Sequence, residues 1–281
     1  MRALGIGDNV CDKYITTGMM YPGGQAMNYA VFSKMLGCES AYIGVFGNDR
    51  VGLYNKKILS ELGIDYQRAV TVEGENGYAL VKHEEGERIF IGSNKGGVAG
   101  YNPIVLNGSD KEYISTFDVV HTSNNSYCDD LLEIIKETGV FLSYDFSKTW
   151  KDKIRCSKIS KWADAVFLSG DSDDISGTEI VLEELLKGNV RYAVATFGSK
   201  GSVLKSRDYS ISLSVCPVKP VDTMGAGDSF AAAILYGIKS MNPECSTIVP
   251  KDDMLRIMRN ASEFAASTCL RQGSFGFGTE I

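Results

Sequence analysis

The sequence predicts an α/β protein with three layers, α/β/α, built on a mostly parallel sheet and carrying a small antiparallel sheet. Three observations carry that expectation. Short apolar runs alternate with helix-period stretches through most of the 281 residues, the pattern of parallel strands joined by helices. Two segments break the alternation with strand-like patterns of their own. The last third turns to helices rich in Ala and Ser, suited to tight packing near the end of a fold.

The main strands are expected at residues 3–6, 40–45, 119–121, 141–145, 165–169 and 192–196. Helices are expected at 26–36, 51–62, 128–137, 178–187, 229–239 and 254–270. Residues 12–17 follow the first strand without starting a helix. Residues 77–81 and 88–91 flank a polar stretch with Gly86 in its turn, a hairpin pattern. Segments of about 11–22 and 72–98 would form the small sheet, read as a lid over a single domain spanning 1–281. The bland alternative is a hairpin that only widens a sheet edge.

Composition bounds the function. Hydrophobic residues make up 44% and charged residues 23% of the chain, values typical of soluble globular proteins. The net charge of −6, from 29 basic and 35 acidic residues, disfavours nucleic acid and anionic membranes as partners. Seven scattered cysteines and two histidines fit neither a disulfide scaffold nor a zinc cage. No apolar run reaches the roughly 18 residues a membrane span needs. A cytoplasmic location is the expectation.

The strongest chemical signal is Asp222-Thr223-Met224-Gly225-Ala226-Gly227-Asp228, followed by a helix. Small residues admit a ligand close to the backbone, and a helix start leaves amides without partners. That combination suits an oxyanion, so a carboxylate beside it, Asp228, needs a task. In phosphoryl transfer the amides of Gly225, Ala226 and Gly227 would stabilise charge on the transferring group. Asp228 would take the proton of the attacking hydroxyl. The bland reading is a first-turn Asp with helix-packing glycines.

Gly23 and Gly24 lead into another helix and would let a substrate rest on backbone, with Asn28 offering a donor and an acceptor. Asp8 and Asp12 stand at and beyond the C-terminal end of the first strand, where open α/β sheets bind ligands. Thr196, Gly198, Lys200 and Gly201 form a loop after a strand, suited to the nucleotide side, or else a glycine turn with a solvated lysine. His121 and Asp145 sit at expected strand ends facing the same crevice, as substrate contacts or as a strand-end histidine and a capping Asp. Met19, Met20 and Tyr21 are expected either to form an apolar wall under the lid or simply to pack in the lid or core.

The order of these pieces, with a V-G-x-D-x-x-G-like stretch around residues 45–52, resembles the ribokinase (phosphofructokinase-B, PfkB) type carbohydrate kinases from about residue 2 to 276. The resemblance implies a ribokinase-like fold, ATP with Mg2+, and Asp228 as catalytic base beside the anion hole. It implies that Asp12, Gly24 and Asn28 hold the sugar. Thr196, Gly198 and Gly201 would line the nucleotide site, and Asn260 would approach the adenine. Members often bind a monovalent cation, and Asp222 with the Met224 carbonyl matches that position, which adds K+ to the expectations. The family's N-x-x-E carboxylate motif is replaced by Ser169-Gly170-Asp171-Ser172-Asp173-Asp174, where Asp171 or Asp173 could substitute.

Local similarity at residues 6–14, 23–28, 117–121 and 144–150 looks like the fructoselysine 6-kinase branch, which phosphorylates fructosamines at the sugar 6-hydroxyl. Gln25 stands where ribokinases proper usually carry a lysine. Other free sugars, sugar acids and nucleosides remain alternatives. So does a sugar-binding regulator that has lost catalysis. A homodimer through the lid is expected, because an exposed sheet edge needs cover.

Overall fold

The structure, a computed structural model, describes residues 1–84 and 87–281. The hairpin turn expected at Gly86 lies outside the described residues. In chain order the elements are β1 (Arg2–Gly7), β2 (Val10–Tyr14), β3 (Met19–Gly23), α1 (Gln25–Met35), β4 (Glu39–Gly47), α2 (Arg50–Glu61) and β5 (Val70–Val72). Then come β6 (Gly77–Glu84), β7 (Glu87–Ser93), α3 (Gly108–Ile114), β8 (Val119–Ser123), α4 (Leu132–Lys136), β9 (Phe141–Asp145) and α5 (Lys153–Ile159). The remainder is β10 (Ala165–Ser169), α6 (Ile175–Leu185), β11 (Tyr192–Thr196), β12 (Ser202–Lys205), β13 (Ser210–Leu213), α7 (Ala226–Met241), α8 (Lys251–Thr268) and β14 (Thr279–Glu280).

The large sheet has nine strands in the order β13-β12-β11-β10-β9-β8-β1-β4-β5. From β11 to β5 every pairing is parallel, and β12 and β13 add an antiparallel edge. Strand side chains alternate between two cores, as the period of two requires. Ala3, Val119 and Phe141 join α1, α7 and α8 on one face. Leu4, Val120 and Leu142 join the helices of the other face through Ile135, Ile159 and Leu182. The three expected layers are present.

Between β1 and β8 the winding reverses: the chain leaves β1 for β4 on one side and later fills in β8 on the other. Such a switch point opens a crevice at the strand C-termini. Over it lies the second sheet, ordered β14-β3-β2-β6-β7. Its β2–β6 pairing is parallel and the other pairings are antiparallel. One face of this second sheet, the expected lid, packs Cys11 and Met20 against Val51 of α2. The opposite face packs Tyr14, Tyr21 and Val81 against Met224, beside the start of α7.

Several elements differ from expectation. The helix expected at 128–137 shrinks to α4, preceded by turns at 124–127 and 129–131, with Tyr127 at φ 56°. Strands β5, β12, β13 and β14 and helices α3 and α5 were not anticipated. Asn107 and Asp110 form a reciprocal capping box on α3, and Asp152 caps α5. Those local signals start helices too short for a clear apolar period. Among the described residues no helix is long and apolar enough to cross a membrane.

Candidate active site

Gly225 begins α7 in the left-handed conformation, φ 73°, and a Cβ there would lie 2.7 Å from Ser274 Cβ. Glycine is therefore required twice over, by backbone and by space. Ala226, Gly227 and Asp228 form the first turn of a 16-residue helix whose dipole and unpaired first amides favour negative charge. The Ala226 amide makes only a long contact, 3.4 Å, with the Thr223 carbonyl. On the Cβ side of Gly227, among the described residues, nothing beyond its chain neighbours and its own helix backbone lies within 4 Å. Protein packing does not demand a glycine there.

Asn28 of α1 reaches this turn. Its Nδ2 donates to Asp228 Oδ2 at 2.5 Å and to Ser274 Oγ at 3.1 Å. Its Oδ1 is buried with no partner. A buried amide oxygen without a donor is costly. Asp12 is buried on β2 with Oδ2 only 2.8 Å from where a Cβ on Gly23 would stand. Gly23 thus lets the carboxylate lie against the backbone that leads into α1.

Asp8 is also in the crevice, but its carboxylate is occupied. It accepts from the amides of Gln25 and Ala26 at 2.8 and 3.1 Å, and from Ser123 and Ser126 hydroxyls at 3.2 and 2.9 Å. It caps the first turn of α1 and so fixes Gly24 and Asn28. Asp222, expected as a cation ligand, likewise serves as a brace. Tyr14 Oη donates to it at 2.5 Å, and the amides of Met224 and Gly273 donate at 3.0 and 2.9 Å. One carboxylate joins the lid, the α7 turn and the C-terminal segment. Tyr21 Oη adds a second tie, donating to Gln272 Oε1 at 2.6 Å.

Asp145 closes the far side. It ends β9, is buried, and accepts from the Ser147 amide at 2.6 Å. Ser147 adopts φ 47°, an uncommon conformation for a non-glycine residue that brings its amide round to the carboxylate. Burial first, and then the charge of Asp228, push the Asp145 pKa up to about 7. A Gln25 side-chain hydrogen bond pulls in the other direction. His121 takes the bland role. It is fully buried, stacks on Tyr29 at 4.7 Å and pairs with Ser143 Oγ at 3.0 Å, and burial lowers its pKa to about 3.

The residues expected on the nucleotide side lie further along the sheet. Thr196 ends β11, and Gly198–Lys200 make one 3-10 turn closed by the Phe197 amide bonding the Gly201 carbonyl at 2.8 Å. Lys200 is exposed and donates to the Ser172 carbonyl at 2.8 Å. Asn260 is exposed on α8. Asp171 accepts from Lys151 and from the Asp173 amide, which hold its pKa below the usual carboxylate value. Ser274, Tyr14 and Gln272 were missed in the sequence. Only the glycines around residues 273–278 hinted that the segment after α8 folds back.

The chain matches the profile described as pfkB family carbohydrate kinase over residues 5–276. It is 36% identical to the fructosamine kinase FrlD of Bacillus subtilis, covering 99% of this chain and 94% of that one. It is 27% identical to the fructoselysine 6-kinase of Escherichia coli over 83% of this chain and 87% of the relative. The fructokinase with bound ATP from Xylella fastidiosa superposes with a TM-score of 0.79 at 19% identity, covering 98% and 94% of the two chains. The Thermotoga maritima ribokinase gives 0.74 at 20% identity over the same shares. This chain belongs to the pfkB family of carbohydrate kinases.

Proposed function

We propose that this kinase transfers the γ-phosphoryl group of ATP to the 6-hydroxyl of fructoselysine or a related fructosamine. The observation that carries the catalytic part is the meeting of Asn28 and Asp228 beside the first turn of α7, under the lid. A base, a buried hydroxyl-seeking amide and an anion-favouring helix start share one place. The two relatives named for fructosamine and fructoselysine support the substrate.

In this reading Asp12 and Asn28 hold the sugar on the backbone of Gly23 and Gly24, and Asp8 keeps those groups in place. The acceptor hydroxyl gives its proton to Asp228 as its oxygen bonds to phosphorus and the bond to the bridging oxygen of ADP breaks. The amides of Gly225, Ala226 and Gly227 stabilise the charge of the transferring group. Thr196, Gly198, Lys200 and Gly201 bound the nucleotide side, with Asn260 toward the base.

Among the described residues no cluster of three His, Cys, Asp or Glu side chains could cage a metal. Mg2+ takes one or two carboxylates and otherwise phosphate and water. Asp171 or Asp173 would supply such a carboxylate, and the ion would neutralise phosphate charge. For K+ the ligands would be Asp222 and the Met224 carbonyl. The same proposal includes a homodimer through the lid sheet.

The test is an ADP-release assay with Mg2+ and K+ across fructoselysine, other fructosamines, fructose, ribose, sugar acids and nucleosides. The fructosamines should give the highest kcat/KM. Faster turnover of another class would reassign the substrate, and sugar binding without turnover would indicate a regulator.

A further inference from the structure

We propose that Asp145 is the anchor for a cationic secondary amine of the substrate, and that it selects fructosamines over neutral sugars. This deepens the fructosamine reading above and rests on it. A buried carboxylate is normally accompanied by a cation, because desolvating a lone charge is expensive. Asp145 has no such companion among the described residues. The groups that act on it are amides and other carboxylates: the Ser147 amide of its own loop donates to it, Gln25 of α1 stabilises its charged form, and the charges of Asp228 and Asp8 oppose it.

Gln25 is itself held, accepting through Oε1 from Asn125 Nδ2 at 3.0 Å. This neutral amide occupies the position from which a longer basic side chain could have paired with Asp145. The site is left with carboxylates on both sides of one crevice, close enough for the charges of Asp145 and Asp228 to interact. The unpartnered Oδ1 of buried Asn28, whose amide nitrogen touches Asp228, shows that the space is arranged for a ligand.

A fructosamine offers each of the two carboxylates a partner of the right kind. Its 6-hydroxyl goes to Asp228, and the protonated amine on carbon 1, at the other end of the hexose, goes to Asp145. A neutral ketose fills the first contact and leaves the second carboxylate unpaired. Binding of the amine replaces the missing cation.

The experiment compares 1-deoxy-1-alkylamino-fructose with the isosteric 1-alkoxy-fructose, which lacks the charge, as substrates at pH 7.5. The wild type should favour the amine by at least tenfold in kcat/KM. Asp145→Asn should lower that ratio at least tenfold. Gln25→Lys, which installs a competing cation beside Asp145, should do the same and serves if the first variant does not fold. A wild type that favours the amine, with both folded variants keeping its ratio, overturns the role of Asp145 and leaves the fructosamine reading standing. A wild type that does not favour the amine overturns both.

Discussion

At Asp228 the carboxylate accepts a 2.5 Å hydrogen bond from Asn28 and sits in the first turn of α7. If it takes the acceptor proton, Asp228→Asn should lower kcat by roughly 10²–10⁴-fold, the usual range for a lost general base. Sugar affinity, read by calorimetry, should change far less. Near-normal turnover in the variant would remove Asp228 from the chemistry. Asp145 makes a different prediction, in stability. Its folded pKa is raised from the ordinary 3.8 to about 7, so between these values the folded protein holds a proton that the unfolded chain has released. Stability from this group is therefore present at low pH and is lost as pH rises through about 7. A shift of roughly three units corresponds to about 4 kcal/mol as a ceiling. In the absence of sugar, Asp145→Asn should gain on the wild type by up to about 3 kcal/mol between pH 5 and pH 8 in denaturant titrations, since about two of those units lie above pH 5. A constant difference across that range would show that Asp145 does not titrate as described.

The elements that position these residues were unequally legible in the sequence. The inner strands stand out because both faces are buried, which makes them continuous apolar runs. Strands β5 and β13 are short edge strands with exposed positions, so their patterns carry little information. The glycine turns before α1 and α7 were legible because backbone conformation and close approach restrict those positions locally. The ties between elements were not, because they join segments far apart in the chain. Tyr14 and Asp222 are 208 residues apart, and Asn28 and Ser274 are 246 apart. Tyr14 on β2 donates to buried Asp222, and hydrogen bonds to charged groups contribute about 1.5–3 kcal/mol. Tyr14→Phe should therefore reduce unfolding free energy by about that amount. It should also raise the KM for sugar, because the lid loses its hold on the loop before α7. A variant with wild-type stability would show that this tie contributes nothing.

For the whole molecule, the motif order along the chain was enough to indicate the family and its mostly parallel sheet, and the pfkB match and the strand order bear those out. What a linear reading could not supply is which surfaces the finished molecule leaves uncovered. Strand β7 is the outer edge of the lid sheet, and three consecutive apolar residues on it, Ile89, Phe90 and Ile91, are exposed. Successive strand residues face opposite sides, so both faces of this edge are apolar. An unprotected apolar edge with free backbone groups invites strand pairing, and the same segment of a second copy offers a matching edge in a symmetric, closed arrangement. Light scattering at micromolar concentration should give a dimer. Phe90→Glu, which places a carboxylate against its own counterpart across such an interface, should shift the mass to the monomer without lowering the melting temperature of the isolated chain. A wild type that is monomeric at those concentrations, or a Phe90→Glu variant that stays dimeric, would place the contact elsewhere or remove it.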